Sequence, residues 1–166
     1  MSKLPITVYQ IYDDILSGLV QKYPDAVEDI GRILRWLMGS MFPLTLDQLA
    51  EAVSIRPQDQ YLDRSGIATD VLDLAAYCGA LVTVHDQDSL LEGRPGSVKH
   101  ARKTLITLSH ASVEEYLKSG KMRPDLAKLF PMDELLIHRE IMNTCLQYIM
   151  FQDFKSPIRQ PVCFIP

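Results

Sequence analysis

The chain has 166 residues, a length that suits one domain, or one domain with an appended helical piece, and that is sufficient to bury a hydrophobic core. Hydrophobic residues make up 47% and charged residues 23%, without any low-complexity tract, which excludes a mainly disordered chain. The formal net charge of -4 gives no overall attraction to nucleic acid or to an acidic membrane surface.

The three cysteines, Cys78, Cys145 and Cys163, lie far apart in the sequence. Their odd number and wide spacing fit neither a disulfide framework nor a CxxC metal knuckle, so we expect a reducing compartment. No apolar run is long enough to span a bilayer, and residues 1–7 lack the apolar core of a signal peptide. We therefore predict a cytoplasmic protein.

Helical periodicity dominates the first half of the chain. Apolar residues recur at intervals of three and four within 8–20, and Pro24 opens a second such pattern that ends near residue 39. Thr45 and Gln48 form a capping box that starts a third helix, and Gly79 closes a fourth helix over 67–78. The residues predicted to face inward are Val8, Ile11, Tyr12, Ile15 and Leu19 in the first helix, Val27, Ile30, Leu34, Leu37 and Met41 in the second, and Leu46, Leu49, Ala50 and Val53 in the third.

A hairpin follows these helices. Residues 81–85 and 103–108 are rich in β-branched side chains and are predicted to pair antiparallel, with a long connection, the wing, between them. Ser112 then resembles a capping residue for a short helix, and Asp133 caps a longer one. The face of that last helix is predicted to carry Leu136, Ile137, Ile141, Cys145, Tyr148 and Ile149.

Three helices followed by a two-stranded hairpin is the element order of a winged helix. We therefore predict a mainly α fold with a small β-hairpin, in which a winged-helix core carries flanking helices. A plain helical bundle with an incidental hairpin is the alternative that the pattern leaves open.

No motif for catalysis, metal binding or nucleotide binding occurs. Gly120-Lys121 is followed by Met122, so it is not a phosphate-binding P-loop, and neither a nucleophile elbow nor a kinase signature is present. We therefore predict a chain that is not an enzyme, has no catalytic residue and binds no metal. The histidines, none at a metal-site spacing from another histidine or cysteine, are His85, His100, His110 and His138.

Recognition of DNA would require a polar helix, which the sequence does not supply. The fourth predicted helix carries Asp70 and Asp73 but no Lys, Arg, Asn or Gln, so carboxylates would face the phosphate backbone. The wing contains a cluster of basic residues, which predicts either a contact with an acidic partner or a solvated loop. Its members are Arg94, Lys99, His100, Arg102 and Lys103.

His110 is the candidate site that the residues indicate most clearly. It stands between the second predicted strand and the helix that follows, where backbone amides and the positive helix end converge and suit an anion. An imidazole at this point can donate a hydrogen bond to a phosphate oxygen. The alternative is that His110 caps the helix or packs against it.

Several segments resemble the region that follows the NACHT ATPase domain in fungal STAND signalling proteins, which are related to NLR proteins. The segment 108–117 is similar to that family's L-x-H-x-S-V-x-E-Y-L signature, and the likeness extends over roughly residues 4–150. The other blocks that carry it are 33–37 (ILRWL), 43–55 (PLTLDQLAEAVSI), 78–84 (CGALVTV), His138-Arg139 and 145–148 (CLQY).

The resemblance implies a division of the chain. It places a helix of the ATPase-associated helical part at 1–24, the winged helix at 25–120, the start of a following helical domain at 121–152, and an irregular tail at 153–166. In the wider class, the histidine of a Met-His-Asp motif contacts the β-phosphate of ADP, and Ser109-His110-Ala111 occupies the matching place. Ala111 replaces the aspartate, so any role of that carboxylate does not transfer.

The resemblance also implies a function and partners. We expect a regulatory module that couples the nucleotide state of a neighbouring NACHT ATPase domain to autoinhibition and oligomerisation, with His110 sensing the phosphate. The chain itself would hold no cofactor, and ADP or ATP would be bound only with the ATPase domain present. The partners expected are that domain and a second copy of the chain, with neither membrane nor nucleic acid. The alternatives are a stand-alone interaction domain and, ranked last, a DNA-binding winged helix.

Overall fold

The computed structural model describes residues 6–62, 71–87 and 103–152. Within these ranges the chain is mostly helical and contains a small antiparallel sheet, as the sequence predicts. Its elements in chain order are α1 (Ile6–Lys22), α2 (Val27–Gly39), β1 (Leu44–Thr45), α3 (Leu46–Ser54), α4 (Val71–Cys78), β2 (Val82–Gln87), β3 (Lys103–Leu108), α5 (Ala111–Lys118), α6 (Pro124–Leu129) and α7 (Glu134–Met150).

Local capping chemistry fixes where several of these helices begin. The Thr45 hydroxyl accepts from the backbone N–H of Gln48, whose side chain accepts from the Thr45 N–H, so the predicted capping box is confirmed. The Asp133 carboxylate likewise accepts from the Leu136 N–H at 3.0 Å. The capping residue predicted for α5 is wrong, because His110 rather than Ser112 caps it and the helix starts two residues earlier.

The end of α4 depends on a glycine. Gly79 has a φ of +54°, a backbone conformation in which an L side chain would be strained, and it leads into a short 3-10 helix, Gly79–Leu81. The prediction that Gly79 closes this helix is therefore confirmed. The predicted beginning of the helix, at residues 67–70, lies outside the described residues.

The sheet has the strand order β1-β3-β2, and both pairs are antiparallel. The predicted pairing of β2 with β3 is confirmed, with Val82 opposite Leu108. Strand β1, in which Leu44 lies opposite Ile106, was not predicted. A strand of two residues shows no alternation, so periodicity cannot indicate it.

A single hydrophobic core joins the helices to one face of the sheet. It combines residues from all three folded segments of the predicted division, 1–24, 25–120 and 121–152, and that division itself stays a prediction. Side chains that are fully buried in this core include Leu16, Ile30, Ile33, Leu34, Leu49, Leu81, Ile106, Val113, Tyr116 and Phe130.

The buried face of α1 differs from the predicted one. Ile11 is 56% exposed, whereas Tyr9, Asp13 and Leu16 are buried. Asp13 is accommodated because its carboxylate accepts from the Tyr116 hydroxyl at 2.7 Å and from a backbone N–H at 3.1 Å. Because this hydrogen-bonded carboxylate lies within the buried face, the spacing of apolar residues alone does not identify that face.

The side chains buried on α2 and on α7 differ from the predicted ones. Met41 was predicted to be buried but is 90% exposed, because α2 has already ended at Gly39. The predicted Leu136, Cys145 and Ile149 of α7 are exposed, whereas its buried or half-buried positions are Ile137, Glu140, Ile141, Thr144, Gln147 and Tyr148. Apolar residues surround much of α7, so the packing against α2, and not periodicity, selects its inner face.

Candidate functional site

The turn between β3 and α5 is held against the end of α4. The backbone N–H of Ser109 donates to the Leu81 carbonyl at 2.9 Å, and the Ser109 hydroxyl donates to the Ala80 carbonyl at 2.8 Å. His110 follows in an extended conformation and its side chain is exposed. The fold therefore positions His110 firmly at the strand-helix junction that the sequence predicts.

The imidazole of His110 is the N-cap of α5. Its Nδ1 accepts from the backbone N–H of Ser112 at 3.0 Å and lies 2.7 Å from the Ser112 hydroxyl oxygen. Tyr12 of α1 extends this chain, with its hydroxyl 2.6 Å from the same Ser112 oxygen. The capping alternative is thus confirmed, and contact of His110 with a nucleotide stays a prediction.

This geometry determines which ring nitrogen can donate. Because Nδ1 accepts the Ser112 N–H, a neutral imidazole carries its proton on Nε2. The backbone N–H of Val113 also donates within the helix cap, to the His110 carbonyl at 2.9 Å. The backbone N–H groups of Ser112 and Val113 are therefore already used within the cap, and an external anion would meet the Nε2–H of His110 instead.

An open groove adjoins His110 between α2, β1, β3 and α5. Met41 and Phe42, which line this groove, are 90% and 76% exposed. Glu114 of α5 lines it together with His110. Glu114 pairs with Lys118 one turn along, with its Oε1 2.5 Å from the Lys118 Nζ. The site thus combines an imidazole with a wall of both apolar and polar groups.

The basic wing remains a prediction. Arg94, Lys99 and Arg102 lie outside the described residues, and so does His100. Lys103 is the first residue of β3, and its side chain is likewise outside what the structure describes.

A second polar site, which the sequence analysis missed, lies between α2 and α7. The guanidinium groups of Arg32 and Arg35 both contact the Glu140 carboxylate, with Nε–O distances of 3.4 and 2.6 Å. Arg56, after α3, pairs with Asp29 at 2.7 Å. The sequence offered no signal for it, since Arg32 lies on the side of α2 opposite the predicted apolar face, where a charged residue is expected to face solvent.

The described cysteines show no sign of an activated thiol. Cys78 is fully buried, and burial raises the pKa of its thiol to about 12, so the reactive thiolate is not formed at neutral pH. Cys145 is exposed on α7 and, like Cys78, is not in a disulfide. Cys163 lies outside the described residues.

Across residues 6–62, 71–87 and 103–152, His, Cys, Asp and Glu side chains do not gather in groups of three that could ligate a metal ion. Among the described helices, none has both the length and the apolar character required to cross a membrane.

Comparisons with known proteins give one informative relative. No protein-family model matches the chain, and no solved structure matches it. The chain is 29% identical over 152 residues to a protein of the fungus Monascus ruber named "Azaphilone pigments biosynthesis cluster protein L". The match covers 90% of this chain but only 29% of that protein, so the chain spans less than a third of the length of this relative.

Proposed function

We propose that residues 25–120 form a winged helix and act as a non-catalytic regulatory module beside a NACHT-type ATPase domain. The fold proposal is supported by the element order α2-β1-α3-α4-β2-β3 and by the strand order β1-β3-β2. Interleaving of three helices with a three-stranded sheet in this order is the arrangement that a winged helix requires. The regulatory proposal is supported by the resemblance to STAND proteins.

The observation that carries the proposal is the commitment of His110 Nδ1 to the helix cap. The ring is held in one orientation by Ser112, and its remaining Nε2–H is a donor on an exposed side chain. A phosphate oxygen of ADP bound in a neighbouring domain suits this donor, because hydrogen bonds to charged acceptors are stronger than those to neutral ones.

Tyr12 gives this site a link to the preceding part of the protein. It belongs to α1, which the resemblance assigns to the ATPase-associated helical part, and it reaches His110 through the Ser112 hydroxyl. A change in the position of α1 would alter this chain of hydrogen bonds together with the orientation of the imidazole. We propose that two such arrangements, one favoured by ADP, control exposure of the surfaces used for oligomerisation.

The test uses a parent protein in which the ATPase domain precedes this chain. His110→Asn keeps a side-chain oxygen that can cap α5, and its shorter amide cannot place an N–H where the Nε2–H of His110 lies. We expect release of fluorescently labelled ADP to become about tenfold faster, because the loss of one charge-assisted hydrogen bond corresponds to roughly 1.4 kcal/mol. Light scattering should also show increased self-association.

The matched control is His138→Asn, the same change at an exposed histidine of α7. It is expected to leave both ADP release and mass unchanged. If His110→Asn also leaves both unchanged, His110 is only a cap and the sensor role is wrong.

A stand-alone interaction domain is the second candidate, and exposed apolar side chains favour it. Met41 and Phe42 are adjacent in the chain and are 90% and 76% exposed, and adjoining exposed apolar side chains of this size are typical of interaction sites. This candidate predicts that the chain alone recovers a protein partner or dimerises. A chain that sediments as a monomer and recovers no partner would count against it.

A further inference from the structure

The groove between α2 and α7 has the shape of a helix-binding site. On α2 it is lined at positions 28, 32 and 35, which share one face, and on α7 it runs from Leu136 to Met150. At 1.5 Å per residue that length of α7 corresponds to about 21 Å, or four helical turns. The groove is open and its volume is about 640 Å³.

The charges lining this groove are unbalanced. Its lining contains four arginines but only two glutamates, Glu28 and Glu140. Glu140 is shared between two of the arginines, and Asp29 beside the groove neutralises a third. Arg139 is exposed and has no hydrogen bond or ion pair within the described part of the chain. Glu28 is exposed in the same lining, so the four arginines outnumber Glu28, Glu140 and Asp29 by one positive charge, on a protein whose formal net charge is -4.

Apolar side chains of α7 border the same groove. Leu146 is 48% and Met150 67% exposed, one helical turn apart, and Leu136 lies at the other end of the groove. Exposed apolar residues of this size, next to arginines, are the composition of protein-binding surfaces. A ligand that fits must present both carboxylates and an apolar stripe.

We propose that this groove binds an acidic amphipathic helix of a partner protein. The apolar stripe of such a helix would cover Leu146 and Met150, and its glutamates or aspartates would face Arg139, the exposed arginine of the groove. The chain's own segment after Gln152 is less complementary, because it carries Lys155 and Arg159 against a single acidic residue. The proposal does not depend on any role of His110.

The binding experiment uses the full chain and a fluorescein-labelled peptide of about 18 residues, long enough to form a helix that fills the groove. The peptide carries leucines at helical spacing and glutamates beside them, and a second peptide has lysine in place of every glutamate. Fluorescence anisotropy is expected to show saturable binding of the acidic peptide and at least about tenfold weaker binding of the lysine peptide.

Variants locate the binding site. Arg139→Glu is expected to weaken binding of the acidic peptide about tenfold, and Leu146→Ser several-fold, because both side chains are exposed in the groove. Matched controls lie on α6, where Lys128 is exposed and Leu129 has an exposure of 45%, close to that of Leu146. Lys128→Glu and Leu129→Ser are expected to change the affinity by less than about twofold.

Three outcomes would overturn the proposal. The first is equal binding of the acidic and lysine peptides, or an affinity that neither Arg139→Glu nor Leu146→Ser alters. The second is a peptide-free dimer in sedimentation that Arg139→Glu abolishes, which would assign the groove to a second copy of the chain. The third is binding that occurs only after residues 153–166 are removed, which would assign it to the chain's own end.

Discussion

The junction at His110 and the interface between α2 and α7 organise polar groups in opposite ways. At the junction, His110 and Ser112 are two residues apart, and the hydroxyl of Tyr12 in α1 extends their hydrogen bonds to a distant part of the chain. At the interface, Arg35 and Glu140 are separated by 105 residues. Polar groups that cap a helix locally leave a pattern in the sequence, whereas an ion pair assembled by packing leaves none.

The two regions also differ in what removal of a side chain should cost. The His110 cap is exposed to water, which can replace a lost hydrogen bond. Arg32 is buried, and its guanidinium donates to the carbonyls of Val53 and Ile55, both at 2.7 Å. These carbonyls lie at the end of α3, so Arg32 connects α2, α3 and α7 in the interior. Substitutions at the interface should therefore be the more destabilising.

Arg32→Met is expected to have the largest effect on the free energy of unfolding. The apolar side chain preserves much of the volume but removes the donor to the buried Ile55 carbonyl, leaves the Val53 carbonyl with Arg56 alone, and leaves Glu140 with one arginine fewer. A loss of about 3–5 kcal/mol is expected in urea denaturation. Arg35→Met is the control, because Arg35 contacts only the carboxylate, and about 1–2 kcal/mol is expected for it. Equal losses would show that the carbonyl contacts are unimportant.

Gly39→Ala should have the next largest effect. Gly39 ends α2 where α7 crosses it, and a Cβ built there would collide with the side chains of Ile137 and Ile141. Overpacking of this kind costs about 1–3 kcal/mol, which equilibrium unfolding can measure.

Gly18→Ala is the matched control for this effect, because Gly18 lies within α1 and nothing surrounds a Cβ there within 4 Å. The higher helix propensity of alanine should stabilise the protein by about 0.5–1 kcal/mol. If Gly39→Ala were also stabilising, the close approach of α2 and α7 at this point would be wrong.

The sequence was sufficient for the elements that local rules determine. The capping box at Thr45, the glycine that closes α4 and the pairing of β2 with β3 were all predicted. The faces of α1 and α7 were not, because Asp13 is buried within one and apolar residues surround the other. Which side of a helix is covered depends on its neighbours, and those are determined by the tertiary fold.

The same division applies to the candidate sites. His110 could be found because it stands beside a predicted strand and a predicted helix in one short segment. The positive groove combines arginines of α2, the segment after α3 and α7, and no spacing rule relates residues so far apart. Arg32 lies opposite the predicted apolar face of α2, so periodicity assigns it to solvent although it is buried.

The smallest effect is expected at the junction, and it tests the cap directly. His110→Ala removes the acceptor of the Ser112 N–H and should lower the free energy of unfolding by about 1 kcal/mol. His110→Asn restores an acceptor at a similar reach, so its unfolding curve should lie close to that of the natural protein. Equal losses in both variants would mean that the ring stabilises the protein by packing in the groove beside Phe42 and not by capping. Asparagine supplies an acceptor near the position of Nδ1 but no donor at the position of Nε2, so recovery in His110→Asn would assign the lost stability to the cap.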